Sequence, residues 1–98
     1  MNKNYLETLF LKLQDKKNED MNKSYTAKLL NDPELIAKKI GEESAEFVMA
    51  CKDDDIDAIA NEAADLLFHL QVALAHHGVN WRQVLKVLAG RRGAPRRS

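Results

Sequence analysis

The sequence predicts an all-α fold, a bundle of four to five helices. Apolar residues recur at helical spacing through most of the chain, and no alternating strand pattern occurs. The two prolines and three of the four glycines fall at segment boundaries. A chain of 98 residues reads as one domain. Its core is small, because a domain of this size buries only about 60–70% of its unfolded surface, and a homodimer is expected to complete it.

The elements follow in order. Residues 4–17 set Leu6, Leu9, Phe10 and Leu13 at helical spacing, a first helix. Residues 18–31 are polar and read as a loop containing Ser24-Tyr25-Thr26-Ala27-Lys28. Asp32-Pro33 is a start signal, a cap followed by proline at the first helical position. The second helix runs over 33–51. Lys52-Asp53-Asp54-Asp55 makes a turn and caps a third helix over 55–76, which His77-Gly78 ends. Asn80 caps a short fourth helix over 81–90, with Trp81, Val84, Leu85 and Leu88 facing inward. The domain is expected over 1–90. Residues 91–98, with Arg91, Arg92, Arg96 and Arg97, read as a basic flexible tail.

Composition narrows the function. Fifteen basic and fifteen acidic residues cancel, which argues against a general nucleic-acid binder. The single cysteine, Cys51, excludes a disulfide framework and a cysteine-rich zinc site, and its apolar neighbours suggest a core position. No signal peptide is evident, and no apolar run approaches the roughly 20 residues that cross a bilayer. The expectation is a cytoplasmic protein with no membrane partner.

Two acidic clusters stand out, Glu42-Glu43-x-x-Glu46 and Glu62-x-x-Asp65. Residues three apart lie one turn apart on one side of a helix. The 15 residues between Glu46 and Glu62 allow the two helices to turn back antiparallel. At 100° per residue, Ile36, Ile40, Phe47 and Cys51 form an apolar stripe, with Glu43 inside it and Glu46 at its edge. On the third helix, Ile56, Ile59, Ala60, Ala63, Leu67, Leu70 and Leu74 make the main apolar face. Phe68 and Val72 make a second flank, and Glu62, Asp65 and His69 lie in the strip between. Acids in such places point inward, and like charges so close call for a cation. Hard oxygen ligands suit Mg2+ or Mn2+, ions that are typically shared with phosphates. The bland alternatives are solvated pairs of Lys38 with Glu42 and Lys39 with Glu43, or a buried acidic network that serves structure alone. His69 reads as a core residue, and His76 and His77 as favourable charges at a helix end.

Three segments carry a family resemblance: Ser24-Tyr25-Thr26-Ala27-Lys28-Leu29-Leu30, Lys38-Lys39-Ile40-Gly41-Glu42-Glu43-Ser44-Ala45-Glu46, and Asn61-Glu62-Ala63-Ala64-Asp65-Leu66-Leu67-Phe68-His69-Leu70. Together they resemble phosphoribosyl-ATP pyrophosphohydrolase, a branch of the MazG-like all-α nucleoside triphosphate pyrophosphatases, over about residues 4–90. The resemblance implies a dimeric helical bundle with Mg2+ held by Glu43, Glu46, Glu62 and Asp65, and Mn2+ as a substitute. It implies hydrolysis of phosphoribosyl-ATP to phosphoribosyl-AMP and pyrophosphate, the second step of histidine biosynthesis. Glu42 and Glu43 are the candidate catalytic carboxylates, Glu42 as an accessory ligand or as the group that handles water. Tyr25, Thr26, Lys28 and Lys39 are the candidate substrate-binding residues. The sequence shows no fused cyclohydrolase domain, so the free-standing form is expected. The rivals are a housecleaning pyrophosphatase acting on dUTP or damaged nucleotides, and a non-enzymatic dimerisation module. A di-iron bundle ranks last, because neither acidic pair has the Glu-x-x-His spacing.

Overall fold

The computed structural model describes residues 4–91. Five helices follow one another: α1 (Tyr5–Lys16), α2 (Tyr25–Leu30), α3 (Pro33–Lys52), α4 (Ile56–His76) and α5 (Trp81–Gly90), with no strand among the described residues. Apart from Arg91, the basic tail expected over 91–98 lies outside them.

The start signals act as local chemistry requires. Asp32 Oδ1 accepts the Leu35 N–H at 3.1 Å, and Asp55 Oδ1 accepts the Ala58 N–H at 3.1 Å. Asn80 and Gln83 form a reciprocal capping box at the start of α5. Asp54, at φ 52°, lets the chain reverse between α3 and α4, and Gly78, at φ 71°, takes it from α4 toward α5. The segment read as loop over 18–31 contains α2. Ser24 caps it, its Oγ accepting the Ala27 N–H at 3.1 Å. Six residues are too short to be stable alone, so α2 is held by burial of Ala27, Leu29 and Leu30.

The most extensive helix contact is the antiparallel pair α3 and α4, joined by a three-residue turn. The core lies at one end of that pair. Phe10 and Leu13 of α1, Leu29 and Leu30 of α2, Ile36 of α3, Val72 and Ala75 of α4, and Trp81 form one buried cluster. Side chains tie the same end to the backbone. Lys17 Nζ donates to the carbonyls of Ala75 and His76, each at 3.2 Å. The His76 ring donates from Nδ1 to the Leu30 carbonyl at 2.7 Å, so its role exceeds the helix-end charge expected for it. Gln71, fully buried, donates from Nε2 to the Leu6 carbonyl at 2.9 Å.

Three burial expectations fail, on α4, on α5 and at Cys51. The flank with Phe68, Val72 and Ala75 faces α1 and α2, whereas Ile56 is 77% exposed and Leu67 and Leu70 are also exposed. On α5, Trp81 is buried and Val84 half-buried, but Leu85 and Leu88 face outward. Cys51 is exposed rather than in the core, at the end of α3 remote from the buried cluster.

Replacing Leu29, fully buried, with alanine is expected to cost about 2–5 kcal/mol. Leu88→Ala, at a position 60% exposed, should stay within about 0.5 kcal/mol of wild type. Urea unfolding of the two variants checks the contrast.

Candidate metal and phosphate site

Both acidic motifs lie on the α3–α4 pair, between the buried cluster and the connecting turn. From α3 comes Glu43, one turn beyond the half-buried Ile40; from α4 come Glu62 and Asp65, the latter one turn before Phe68. One carboxylate oxygen from each of Glu43, Glu62 and Asp65 lies within 4.8 Å of the other two. Glu43 and Glu62 are half-buried, and the Oε2 atom of each is fully enclosed with no hydrogen-bond partner. Burying a polar atom without a partner is costly. Two such atoms on neighbouring acidic groups are suited to a positive partner.

Glu46, one turn after Glu43, is exposed but acts on the same cluster. The Glu62 carboxyl is pushed up from 4.5 to about 7. The first cause is a hydrogen bond shared with Glu46. Burial follows, then repulsion from Glu46, and Glu43 adds a hydrogen bond and repulsion of its own. An acid that holds its proton this tightly lacks the counter-charge its neighbours require. A divalent cation with hard oxygen preference fits the donor set, since all contributors are carboxylates and two buried lone-pair sites stand open. The Lys38–Glu42 and Lys39–Glu43 pairs of the surface alternative are not formed among the described residues. The ion pairs among the described residues are Lys16–Glu19 and Arg82–Glu7, and neither involves Lys38, Lys39 or the motif acids.

The other sequence candidates separate into groups. Glu42 is exposed beside Glu43 and does not join the three-acid set. Lys39 is half-buried on α3, one turn before Glu43. His69 is half-buried, its Nδ1 meeting the Asp65 carbonyl at 2.8 Å, so that nitrogen is engaged with backbone. Tyr25 and Lys28 line a separate concavity of about 560 Å3 at the start of α2, together with Lys23 and Ser24. Thr26 is half-buried and is not among its lining residues. Lys23 is the residue that the sequence reading passed over. In the sequence, Ser24 as a cap residue is the one local sign of this short helix.

Comparison with known proteins bears on this geometry. The family model described as phosphoribosyl-ATP pyrophosphohydrolase matches residues 6–92. A histidine biosynthesis bifunctional protein HisIE from Prochlorococcus marinus (strain MIT 9313) is 82% identical over 76 residues, 76% of this chain and 34% of that protein. Its counterpart in Parasynechococcus marenigrum (strain WH8102) is 64% identical over 90 residues, 91% of this chain and 40% of that protein. A phosphoribosyl-ATP pyrophosphatase from Caulobacter sp. (strain K31) is 48% identical over 88 residues, 90% of this chain and 82% of that protein. The chain thus spans only 34% and 40% of the two bifunctional relatives, and the free-standing form expected above does not follow from them.

The raised Glu62 carboxyl sets a pH dependence. The folded state holds a proton that the unfolded chain releases near 4.5, so stability in chelator should fall as pH rises from there to about 7 and level off above. Glu62→Gln should flatten this slope and surpass wild type at alkaline pH. Urea midpoints in EDTA across that range check it; parallel slopes for the two proteins would remove the assignment.

Proposed function

The chain belongs to the phosphoribosyl-ATP pyrophosphohydrolase family, and on that premise we propose that it hydrolyses phosphoribosyl-ATP to phosphoribosyl-AMP and pyrophosphate in histidine biosynthesis. The observation that carries the reading is the convergence of Glu43, Glu62 and Asp65, with two enclosed carboxylate oxygens left without partners. Glu43, Glu46, Glu62 and Asp65 would hold Mg2+, with Mn2+ as a substitute. When bound, the ion supplies neutralisation of the triphosphate charge and electrophilic activation of the phosphorus under attack.

The chain's own groups do the rest. No serine or cysteine nucleophile is paired with a base among the described residues: Ser24 caps α2, Ser44 on α3 makes no hydrogen bond to a basic group, and Cys51 is exposed at the end of α3. Direct attack by water between the α and β phosphates fits this inventory. Glu42, exposed beside the cluster, is the carboxylate left to take the proton. Lys39, one turn before Glu43, is placed to offset negative charge on the triphosphate. Tyr25, Thr26 and Lys28 add donors from α2. The relatives' names favour phosphoribosyl-ATP over dUTP or damaged nucleotides as the substrate.

A homodimer belongs to the same proposal. The flank of α4 that this chain leaves open bears Ile56, Leu67 and Leu70, and exposed apolar patches of this kind mark association surfaces. A second copy of the chain would cover them. Among the described residues no helix is long and apolar enough to cross a membrane; the proposed reaction on a free nucleotide suits the cytoplasm.

Glu46→Gln and Asp65→Asn should each abolish turnover of phosphoribosyl-ATP while circular dichroism retains the helical signal. Full activity in either variant would refute the assignment. Wild-type turnover should also stop in excess EDTA and return with Mg2+. For assembly, light scattering should give twice the chain mass for wild type and a single chain mass for Leu70→Arg.

A further inference from the structure

Phosphoribosyl-ATP carries negative charge in two places: the triphosphate, and the phosphate monoester on its phosphoribosyl group. The acid cluster accepts only an anion that comes with a cation, so a bare monoester would be repelled there. The second phosphate needs donors elsewhere.

The concavity at the start of α2 supplies them. Its volume of about 560 Å3 is ample for a sugar phosphate. Lys23 and Lys28 border it, each with three N–H donors. Neither is in the ion pairs formed among the described residues, Lys16–Glu19 and Arg82–Glu7. Ser24 Oγ accepts the Ala27 N–H, which leaves its hydroxyl hydrogen to donate, and the exposed Tyr25 also lines the concavity. The larger concavity along α5 offers less to an anion. Its lining includes the apolar Leu85 and Ala89, and one of its two cations, Arg82, is held by Glu7 at 2.8 Å. The α2 helix also packs on both acid-bearing helices, so the two charged regions belong to elements in direct contact.

Resting on the function read above, we propose that this concavity receives the phosphate of the phosphoribosyl group, and that Lys23 and Lys28 are the residues that separate phosphoribosyl-ATP from plain nucleoside triphosphates. The acid cluster serves the triphosphate common to all of them; the α2 concavity serves the one charged group that only the modified nucleotide has.

Steady-state kinetics on phosphoribosyl-ATP and on the same compound with that monoester removed test the assignment. Wild type should show a lower KM for the intact substrate. Lys23→Ala should raise that KM about 10-fold or more, leave kcat unchanged, and leave the KM for the dephosphorylated compound unaltered, whereas Lys28→Ala should raise the KM for the intact substrate by a larger factor than the KM for the dephosphorylated compound. Lys28→Arg should keep most of the preference, and Lys86→Ala, on α5, should change nothing. Lysine variants that weaken both substrates alike, or neither, would overturn the subsite, as would a wild type that binds the two compounds equally. A wild type that turns over neither compound would instead overturn the reading of function on which the subsite rests.

Discussion

Repulsion among carboxylates held together by a helix pair is the constraint that organises this molecule. The α3–α4 contact brings an oxygen from each of Glu43, Glu62 and Asp65 within 4.8 Å of the others, and the Oε2 atoms of Glu43 and Glu62 are enclosed without a partner. Left alone, the cluster answers by keeping a proton on Glu62. A cation at these oxygens would compete with that proton, a coupling intrinsic to any site built from acids alone. The rest of the fold can be seen as what makes the repulsion tolerable.

That support comes from one end. Phe10, Leu13, Leu29, Leu30, Ile36, Val72, Ala75 and Trp81 lock one end of the α3–α4 pair, and Lys17 and His76 fasten backbone carbonyls there. The acids stand further along, where α3 and α4 chiefly meet each other. A small domain can keep charged groups there because the cost is offset by a core that does not include them. The same economy leaves Ile56, Leu67 and Leu70 uncovered.

Much of this was legible in the residues. The Asp32-Pro33 start, the Asp55 cap, the Gly78 stop and the Asn80 cap sit where their side-chain chemistry places them. Glu43 inside an apolar stripe and Glu62 between two apolar flanks were visible as anomalies of periodicity, and both have enclosed oxygens. What the sequence hid depends on packing between elements. The α2 helix is too short to show a period and exists because Leu29 and Leu30 are buried by neighbours. On α4 the longer apolar face looked like the inner one, yet α1 and α2 cover the flank of Phe68 and Val72. Periodicity tells that a helix has two apolar flanks; it does not tell which of them this chain covers and which it leaves for another surface.

In the proposed function the acids of α3 and α4 share a divalent cation, which displaces the proton that Glu62 retains. Calorimetric titration of Mg2+ into the protein in two buffers of unlike ionisation heat measures both at once. Below the raised Glu62 value of about 7, binding should release about one proton per ion, falling toward none well above it. Absence of binding at millimolar Mg2+, or binding with no proton release at the lower pH, would contradict the account.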